Sequence, residues 1–212
     1  MKKKNKGFFI TFEGGEGAGK TTLIDRIFEE LAMRGLSVIK TREPGGTSLG
    51  KEIRKLLLYQ ETSPVSHQSE LFLYLSDRAQ HVQEVILPAL EAGSIVLCDR
   101  FNDSTLAYQG AARAIDIDFV KKLCLAATEG LIPDLTLYLD LDPAIGLARA
   151  QKKQAHDRLE KESLEFHTKV RNAFLALAKE EPERFHIIDA SQGVDAVFAQ
   201  AISEVEKALC LK

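Results

Sequence analysis

Two hydrophobic patterns alternate along the whole chain. Short, nearly continuous apolar runs predict strands buried on both faces, and longer stretches with apolar residues every three or four positions predict helices. The strand-like runs are 7–13, 37–42, 95–99, 135–140 and 185–189. The helical patterns are 20–34, 49–58, 70–92, 118–128, 143–151, 159–179 and 194–211. This alternation predicts an α/β fold with a doubly wound, five-stranded parallel sheet that binds ligands at the carboxyl ends of its strands.

The bulk composition fits one globular domain. The 212 residues are 45% hydrophobic and 28% charged, and a single domain over 1–212 is expected. The formal charge of −3 predicts no nucleic-acid partner, and no apolar run has the length of a membrane span. Residues 1–6 are basic, but the apolar run behind them ends at Glu13, so a disordered tail is favoured over a signal peptide. Three scattered cysteines predict a reduced, cytoplasmic protein.

The most informative segment lies between the first strand and the first helix. Positions 14–21, read as GGEGAGKT, match the pattern G-x-x-x-x-G-K-[ST] of a phosphate-binding loop. A glycine-rich turn that binds nothing would need neither the Lys-Thr pair nor the flanking strand and helix. We expect Lys20 to reach the β- and γ-phosphates of a nucleoside triphosphate and Thr21 to hold Mg²⁺. The predicted ATP-binding residues are Gly14, Gly15, Glu16, Gly17, Ala18, Gly19, Lys20, Thr21 and Thr22.

Two further strands deliver charged side chains to the same predicted edge. The third strand ends in Asp99-Arg100, a carboxylate that can organise Mg²⁺ beside a guanidinium that can grip phosphate. An isolated pair of this kind is often only a surface ion pair, but its place after a buried strand favours function. The second strand ends in Arg42-Glu43 before a Pro-Gly-Gly turn, which indicates a substrate site or simple turn chemistry.

An aromatic residue and an arginine share one face of the third predicted helix. Tyr74 and Arg78 are four residues apart, so a flat base could stack on the ring while the guanidinium donates to a carbonyl. A core tyrosine beside a solvated arginine is the competing interpretation.

Taken together, four elements resemble one family. The segments GGEGAGKTT, TREPGGT, SDRAQHV and DRFNDSTLAYQG are similar to those of bacterial thymidylate kinases, P-loop enzymes that phosphorylate dTMP to dTDP with ATP and Mg²⁺. The resemblance runs from about residue 8 to about residue 209. It implies a dTMP site formed by Glu16, Arg42, Glu43, Arg54, Tyr74, Arg78, Arg100, Thr105, Tyr108 and Gln109.

The resemblance also implies individual roles within that site. Arg42 and Arg100, with Arg54 as a helper, would bind the dTMP phosphate. Glu16 would lie near the sugar 3′-hydroxyl and the metal, which Thr21 and Asp99 would organise.

The resemblance implies three contacts to the base and places two further residues near the sugar. Tyr74 would stack on thymine, Arg78 would bond its O4 carbonyl and Thr105 would face N3. Tyr108 would crowd the 2′ position, with Gln109 beside it.

A polar, cation-rich segment at 149–160 is expected to form a lid. In the family that the sequence resembles, the catalytic arginine comes either from the phosphate loop or from the lid. Since Ala18 provides no cation, the resemblance implies that the lid supplies it, and Arg149 and Arg158 match the family's lid arginines. Lys152 and Lys153 stand where relatives often carry arginine, but lysine lacks the planar fork. The predicted catalytic set is therefore Lys20, Arg100, Arg149 and Arg158.

Two alternative functions and a possible homodimer also have to be considered. A deoxynucleoside kinase would need a carboxylate base, which Glu43 could provide, but that family carries Glu-Arg-Ser where this chain has Asp99-Arg100-Phe101. A GTPase-type switch would need an Asn-Lys-x-Asp element, which the sequence lacks. The resemblance suggests a homodimer through the apolar helical faces at 71–86 and 119–127, although both faces could equally belong to the core.

Overall fold

Five parallel strands form the centre of the fold. The computed structural model describes residues 7–59, 64–151 and 158–211. Its strands are β1 (Phe8–Gly14), β2 (Val38–Arg42), β3 (Ile95–Asp99), β4 (Leu135–Asp140) and β5 (Phe185–Asp189). They lie in the order β2-β3-β1-β4-β5, and every neighbouring pair is parallel. The predicted fold class is confirmed.

Helices connect the strands and cover both faces of the sheet. Those in the first half are α1 (Lys20–Met33), α2 (Ser48–Tyr59), α3 (His67–His81) and α4 (Leu87–Glu91). Those in the second half are α5 (Asn102–Thr105), α6 (Ile117–Ala127), α7 (Pro143–Ala150), α8 (Leu164–Glu180) and α9 (Val194–Ala208). Two π-helical segments, Val82–Ile86 and Leu106–Ala112, continue α3 and α5 respectively. Within the described ranges, no helix combines the length and apolar character needed to cross a lipid bilayer.

One predicted helix begins later than expected, and one helical region was not predicted. The helix expected at 159–179 begins at Leu164, because the Ser163 side chain caps it by accepting a hydrogen bond from the Phe166 amide. The region 102–112, for which the sequence predicted no helix, is helical throughout. These residues carry part of the expected substrate site, so that part sits on a helix.

The central strands are buried more completely than the edge strands. One face of the sheet packs on α1 and α9 through residues such as Ile10, Leu137 and Ile27, while α3, α6 and α8 cover the other face. The expectation of strands buried on both faces holds for β1, β3 and β4. It was wrong for β2 and β5, which lie at the edges and leave several positions partly or fully exposed.

The register of the sheet determines where the polar strand ends meet. Arg42 is level with Asp99, and Asp99 is level with Phe12 of β1. The carboxyl ends of β1, β2 and β3 therefore meet at one edge, so the loops after these strands lie side by side.

Candidate active site

The predicted phosphate-binding loop joins β1 to α1. Gly17 and Gly19 have φ of 67° and 91°, which favour glycine, and α1 begins immediately afterwards at Lys20. The buried ammonium of Lys20 donates to the carbonyls of Gly14 at 3.0 Å and Gly15 at 2.9 Å. Burial, together with the nearby Arg100 guanidinium, lowers the pKa of Lys20. Lys20 is thus held against the loop that an anion would occupy.

Helix α7 supports this loop from behind, a role that the sequence analysis missed. A Cβ atom added to Gly17 would lie 2.1 Å from the carbonyl oxygen of Gly146, and one added to Gly146 would lie 2.3 Å from that of Glu16. Neither distance is compatible with a side chain, so the two backbones require glycine on both sides. Gly146 gave no signal in the sequence because it lies inside a helical pattern, where glycine is merely tolerated.

The end of β3 places Arg100 in a strained conformation. Its φ of 71° is in the left-handed region, which a non-glycine residue adopts only when its surroundings hold it there. The Arg100 guanidinium donates to Glu16 at 2.7 Å and to Ser104 at 3.2 Å, and it lies 5.1 Å from the centre of the Tyr108 ring. The positive charge of Arg100 therefore lies beside the phosphate loop.

The carboxylate of Glu16 in the phosphate loop accepts two hydrogen bonds. Besides Arg100, the Tyr108 hydroxyl donates to it at 3.1 Å. Burial would raise the pKa of Glu16, but Arg100 and Lys20 outweigh it and the pKa lies below its usual value. Glu16 is consequently an anion, and burial raises the pKa of Tyr108 well above its ordinary value, so the phenol keeps its proton.

Glu13 organises the segment that carries Arg100 and was not predicted as a site residue. Its two oxygens accept from the Phe101 amide and the Ser104 hydroxyl. Burial, reinforced by Asp103, raises the pKa of Glu13 to about 7. The available signal was a charged residue at the end of an otherwise apolar strand, directly before the phosphate loop.

Arg78 is fully internal rather than solvated. Its Nε donates to Glu43 at 2.7 Å, one terminal nitrogen donates to Thr105 at 2.8 Å and the other to the Phe101 carbonyl at 2.9 Å. These contacts fix the plane of the guanidinium. They also reject the interpretation of Arg78 as a solvated surface residue.

The partner of Arg78 is held in turn by a buried histidine. His81 Nδ1 lies 2.8 Å from the second Glu43 oxygen, and Nε2 lies 2.6 Å from the Thr41 hydroxyl. Glu43, His81 and Cys98 lie close enough to share an ion. However, both Glu43 oxygens are engaged and burial raises the pKa of the Cys98 thiol well above its usual value, so this cluster does not fit a metal.

These elements surround one cavity of about 260 Å³. The predicted site residues that line it are Glu16, Gly17, Ala18, Gly19, Lys20, Thr21, Thr22, Arg42, Glu43, Arg54, Tyr74, Arg78, Asp99, Arg100, Thr105, Tyr108 and Gln109. Lining residues that the sequence analysis missed are Pro44, Leu58, Ser104, Leu159 and Glu160. The cavity thus joins the phosphate loop to the expected substrate side.

Four predicted residues do not line this cavity. Gly14 and Gly15 accept the bonds from Lys20. Arg149 packs beside Gly17 and points a terminal nitrogen at the Ala190 carbonyl, 3.4 Å away. Arg158 donates to the Leu57 carbonyl at 3.0 Å and to Glu70. Lys152 and Lys153 of the expected lid lie outside the described residues.

Two residues of the cavity suit a divalent cation. Among the residues that the structure describes, Oδ1 of Asp99 is buried and has no hydrogen-bond partner. Thr21, which carries a hydroxyl group, lines the same cavity at the start of α1. A carboxylate oxygen and a hydroxyl are ligand types that Mg²⁺ accepts next to phosphate, so these residues fit such an ion.

Comparison with known proteins places the chain in a family. A sequence model of the thymidylate kinase family matches residues 12–201. A thymidylate kinase of Protochlamydia amoebophila is 50% identical to this chain, with 96% of this chain and 94% of that protein covered. The thymidylate kinase of Desulfovibrio desulfuricans is 54% identical over 93% and 94% of the two chains, and that of a Synechococcus species is 53% identical over 96% of each. The chain belongs to the thymidylate kinase family.

Proposed function

We propose that this chain, as a single kinase domain, transfers the γ-phosphoryl group of ATP to dTMP and so produces dTDP and ADP. The observation that carries the proposal is the shared cavity, which is lined both by Lys20 and Thr21 of the phosphate loop and by Arg42 and Arg100. One anionic tail at each end of that cavity would place a donor and an acceptor phosphate end to end. Such positioning is the main contribution that a protein makes to phosphoryl transfer.

In the proposed mechanism, positively charged side chains stabilise the transferred phosphoryl group, and the protein forms no covalent bond to it. Lys20 exchanges its carbonyl contacts for oxygens of the β- and γ-phosphates. Arg100 and Arg42, helped by Arg54, bind the acceptor phosphate, which is already ionised and needs no base. A deoxynucleoside kinase would need a free carboxylate as its base. Both oxygens of Glu43 are held by Arg78 and His81, which argues against that alternative.

We propose Mg²⁺ as the cofactor, held by Thr21 and, through water, by Asp99. When bound, the ion would neutralise charge on the donor phosphates. The partnerless Oδ1 of Asp99 supports this assignment.

For the acceptor base, we propose recognition by Tyr74, Arg78 and Thr105. Tyr74 stacks on thymine, Arg78 donates to O4 and Thr105 faces N3. Since one methyl group in an apolar pocket gains only about 1–3 kcal/mol, some turnover of dUMP is expected. Tyr108 and Gln109 lie on the sugar side, where the Tyr108 ring would exclude a 2′-hydroxyl.

On the donor side, we propose Arg149 and Arg158 as the cations that approach the transferred group. The position of Arg149 beside Gly17 supports its role. Ala18 still offers no charge from the loop itself.

We further propose that the protein is a cytoplasmic homodimer. Apolar side chains on α3 and α6 support this assembly, since Phe72 and Phe119 are 51% and 47% exposed, more than core positions allow. Sedimentation of the purified chain would test it.

An assay of ADP release tests the proposed reaction. Purified protein with ATP and Mg²⁺ is given dTMP, thymidine, UMP or no acceptor. We expect release that depends on dTMP. A preference for thymidine would establish the deoxynucleoside kinase alternative, and equal release without any acceptor would refute both kinase readings.

A further inference from the structure

The strongest unassigned polar cluster lies beside the cavity and is centred on Glu70 of α3. Its side chain is fully buried, yet Glu70 is not one of the residues that line the cavity. A buried carboxylate without partners would be strongly unfavourable. Glu70 therefore has to be explained by the groups that it holds.

Glu70 joins both sides of the site. One oxygen accepts from the Gln109 amide at 2.8 Å, on the side expected to bind dTMP. The other accepts a short hydrogen bond from Arg158, one of the cations proposed for the donor side. Arg113 contacts both oxygens at 3.3 Å and continues to Glu162 at 2.6 Å. Burial would raise the pKa of Glu70, but these donors outweigh it and lower the pKa, so the group stays charged.

Arg158 is held on one edge of its guanidinium. Nε donates to the Leu57 carbonyl at 3.0 Å while the adjacent terminal nitrogen binds Glu70, and the Arg158 amide donates to the Leu58 carbonyl at 3.1 Å. Leu159 and Glu160, the next two residues, line the cavity. Because Nε and Nη2 form this edge, the protein fixes the plane of the guanidinium and with it the direction of the other terminal nitrogen, Nη1.

From this geometry we propose that Glu70 is a positioning residue for phosphoryl transfer, which orients Arg158 and ties it to Gln109. The inference rests on the proposed function. Glu70 does not line the cavity and acts through Arg158, whose approach to the transferred group must be accurate. Misplacement of such a group by about 1 Å can lower a rate about 10²-fold.

The test is a kinetic double-mutant cycle with Glu70→Gln and Arg158→Gln. Glu70→Gln keeps the size of the side chain and the contact to Gln109 but removes the charge that orients Arg158. We expect kcat to fall at least about tenfold, with KM for dTMP changed less than about twofold. The double variant should be no slower than Arg158→Gln alone, because the two residues act as a unit. The proposal would be overturned if the fold-losses of kcat in the two single variants multiplied in the double variant. An unchanged kcat in Glu70→Gln would overturn it as well.

Two controls separate orientation from stability. Arg113→Gln removes the other cation bound to Glu70 and should lower the melting temperature while keeping kcat within about threefold. If it slowed catalysis as much as Glu70→Gln, a general structural role would replace the proposed one. Arg158→Lys keeps the charge balance of the cluster but cannot bridge Leu57 and Glu70, so kcat should fall although the chain folds.

Arg158→Lys keeps the proposal testable if Glu70→Gln fails to fold, since unchanged kcat in this variant would also refute it. Parent protein without dTMP-dependent ADP release would refute the proposed function instead.

Discussion

Replacing Gly146 by alanine would press a methyl group against the phosphate loop. The added Cβ would lie 2.3 Å from the Glu16 carbonyl oxygen, whereas ordinary contact begins at 3.4 Å. Loop and helix must therefore separate by about 1 Å. Since an error of this size in a catalytic group can lower a rate about 10²-fold, we expect kcat/KM for ATP to fall about 10- to 100-fold.

Stability should respond differently from activity in this variant. Alanine is favoured over glycine inside a helix by about 1 kcal/mol, which offsets part of the strain. The melting temperature should consequently change by only a few degrees while activity falls. ADP release at varied ATP, together with thermal unfolding, measures both quantities.

The matched control is Gly193→Ala at the start of α9. Gly193 has a φ of −64°, and nothing lies within 4 Å of an added Cβ. It should keep the activity of the parent protein. Full activity in Gly146→Ala as well would show that α7 does not set the shape of the loop, and would refute the reasoning.

Other variants and conditions test the remaining assignments. Arg100→Ala should raise KM for dTMP at least about tenfold through the loss of an acceptor contact; an unchanged KM and kcat would remove it from the site. Burial raises the pKa of Glu13 to about 7 in the folded chain, whereas the unfolded chain has the ordinary pKa of 4.5. The unfolding free energy should therefore decrease as pH rises from 4.5 to about 7, and a Glu13→Gln variant measured by urea denaturation should lose this dependence. Arg184→Met strips the buried Asp103 of a bidentate partner and should destabilise the fold by about 3 kcal/mol in the same measurement. Chelation of divalent ions should abolish dTMP-dependent ADP release, and added Mg²⁺ should restore it.

Local sequence patterns were sufficient to predict most of the fold. The five strands were found because each is a short apolar run, and the phosphate loop was found because its chemistry is contiguous in the chain. Their parallel orientation then followed from the alternation with helices. The start of α8 was misjudged because capping by Ser163 overrides the apolar pattern upstream of it.

Contacts between distant segments could not be found in the same way. Gly146 meets the phosphate loop about 130 positions away along the chain, and Glu70 meets Arg158 across 88 positions. Nothing in the local pattern of either residue records such a partner. The sequence also could not show that Glu43 is engaged at both oxygens, which decides between a base and a structural role.

The three internal acceptors of Arg78 have a consequence for ligand design. An arginine that must be ordered by its ligand loses about 2 kcal/mol of rotamer freedom on binding, whereas this one is immobilised by the protein alone. A synthetic heterocycle directed at this position would meet a rigid hydrogen-bond donor. The affinity gained there should depend on how well its acceptor atom is placed, because no binding free energy is lost in ordering the Arg78 side chain.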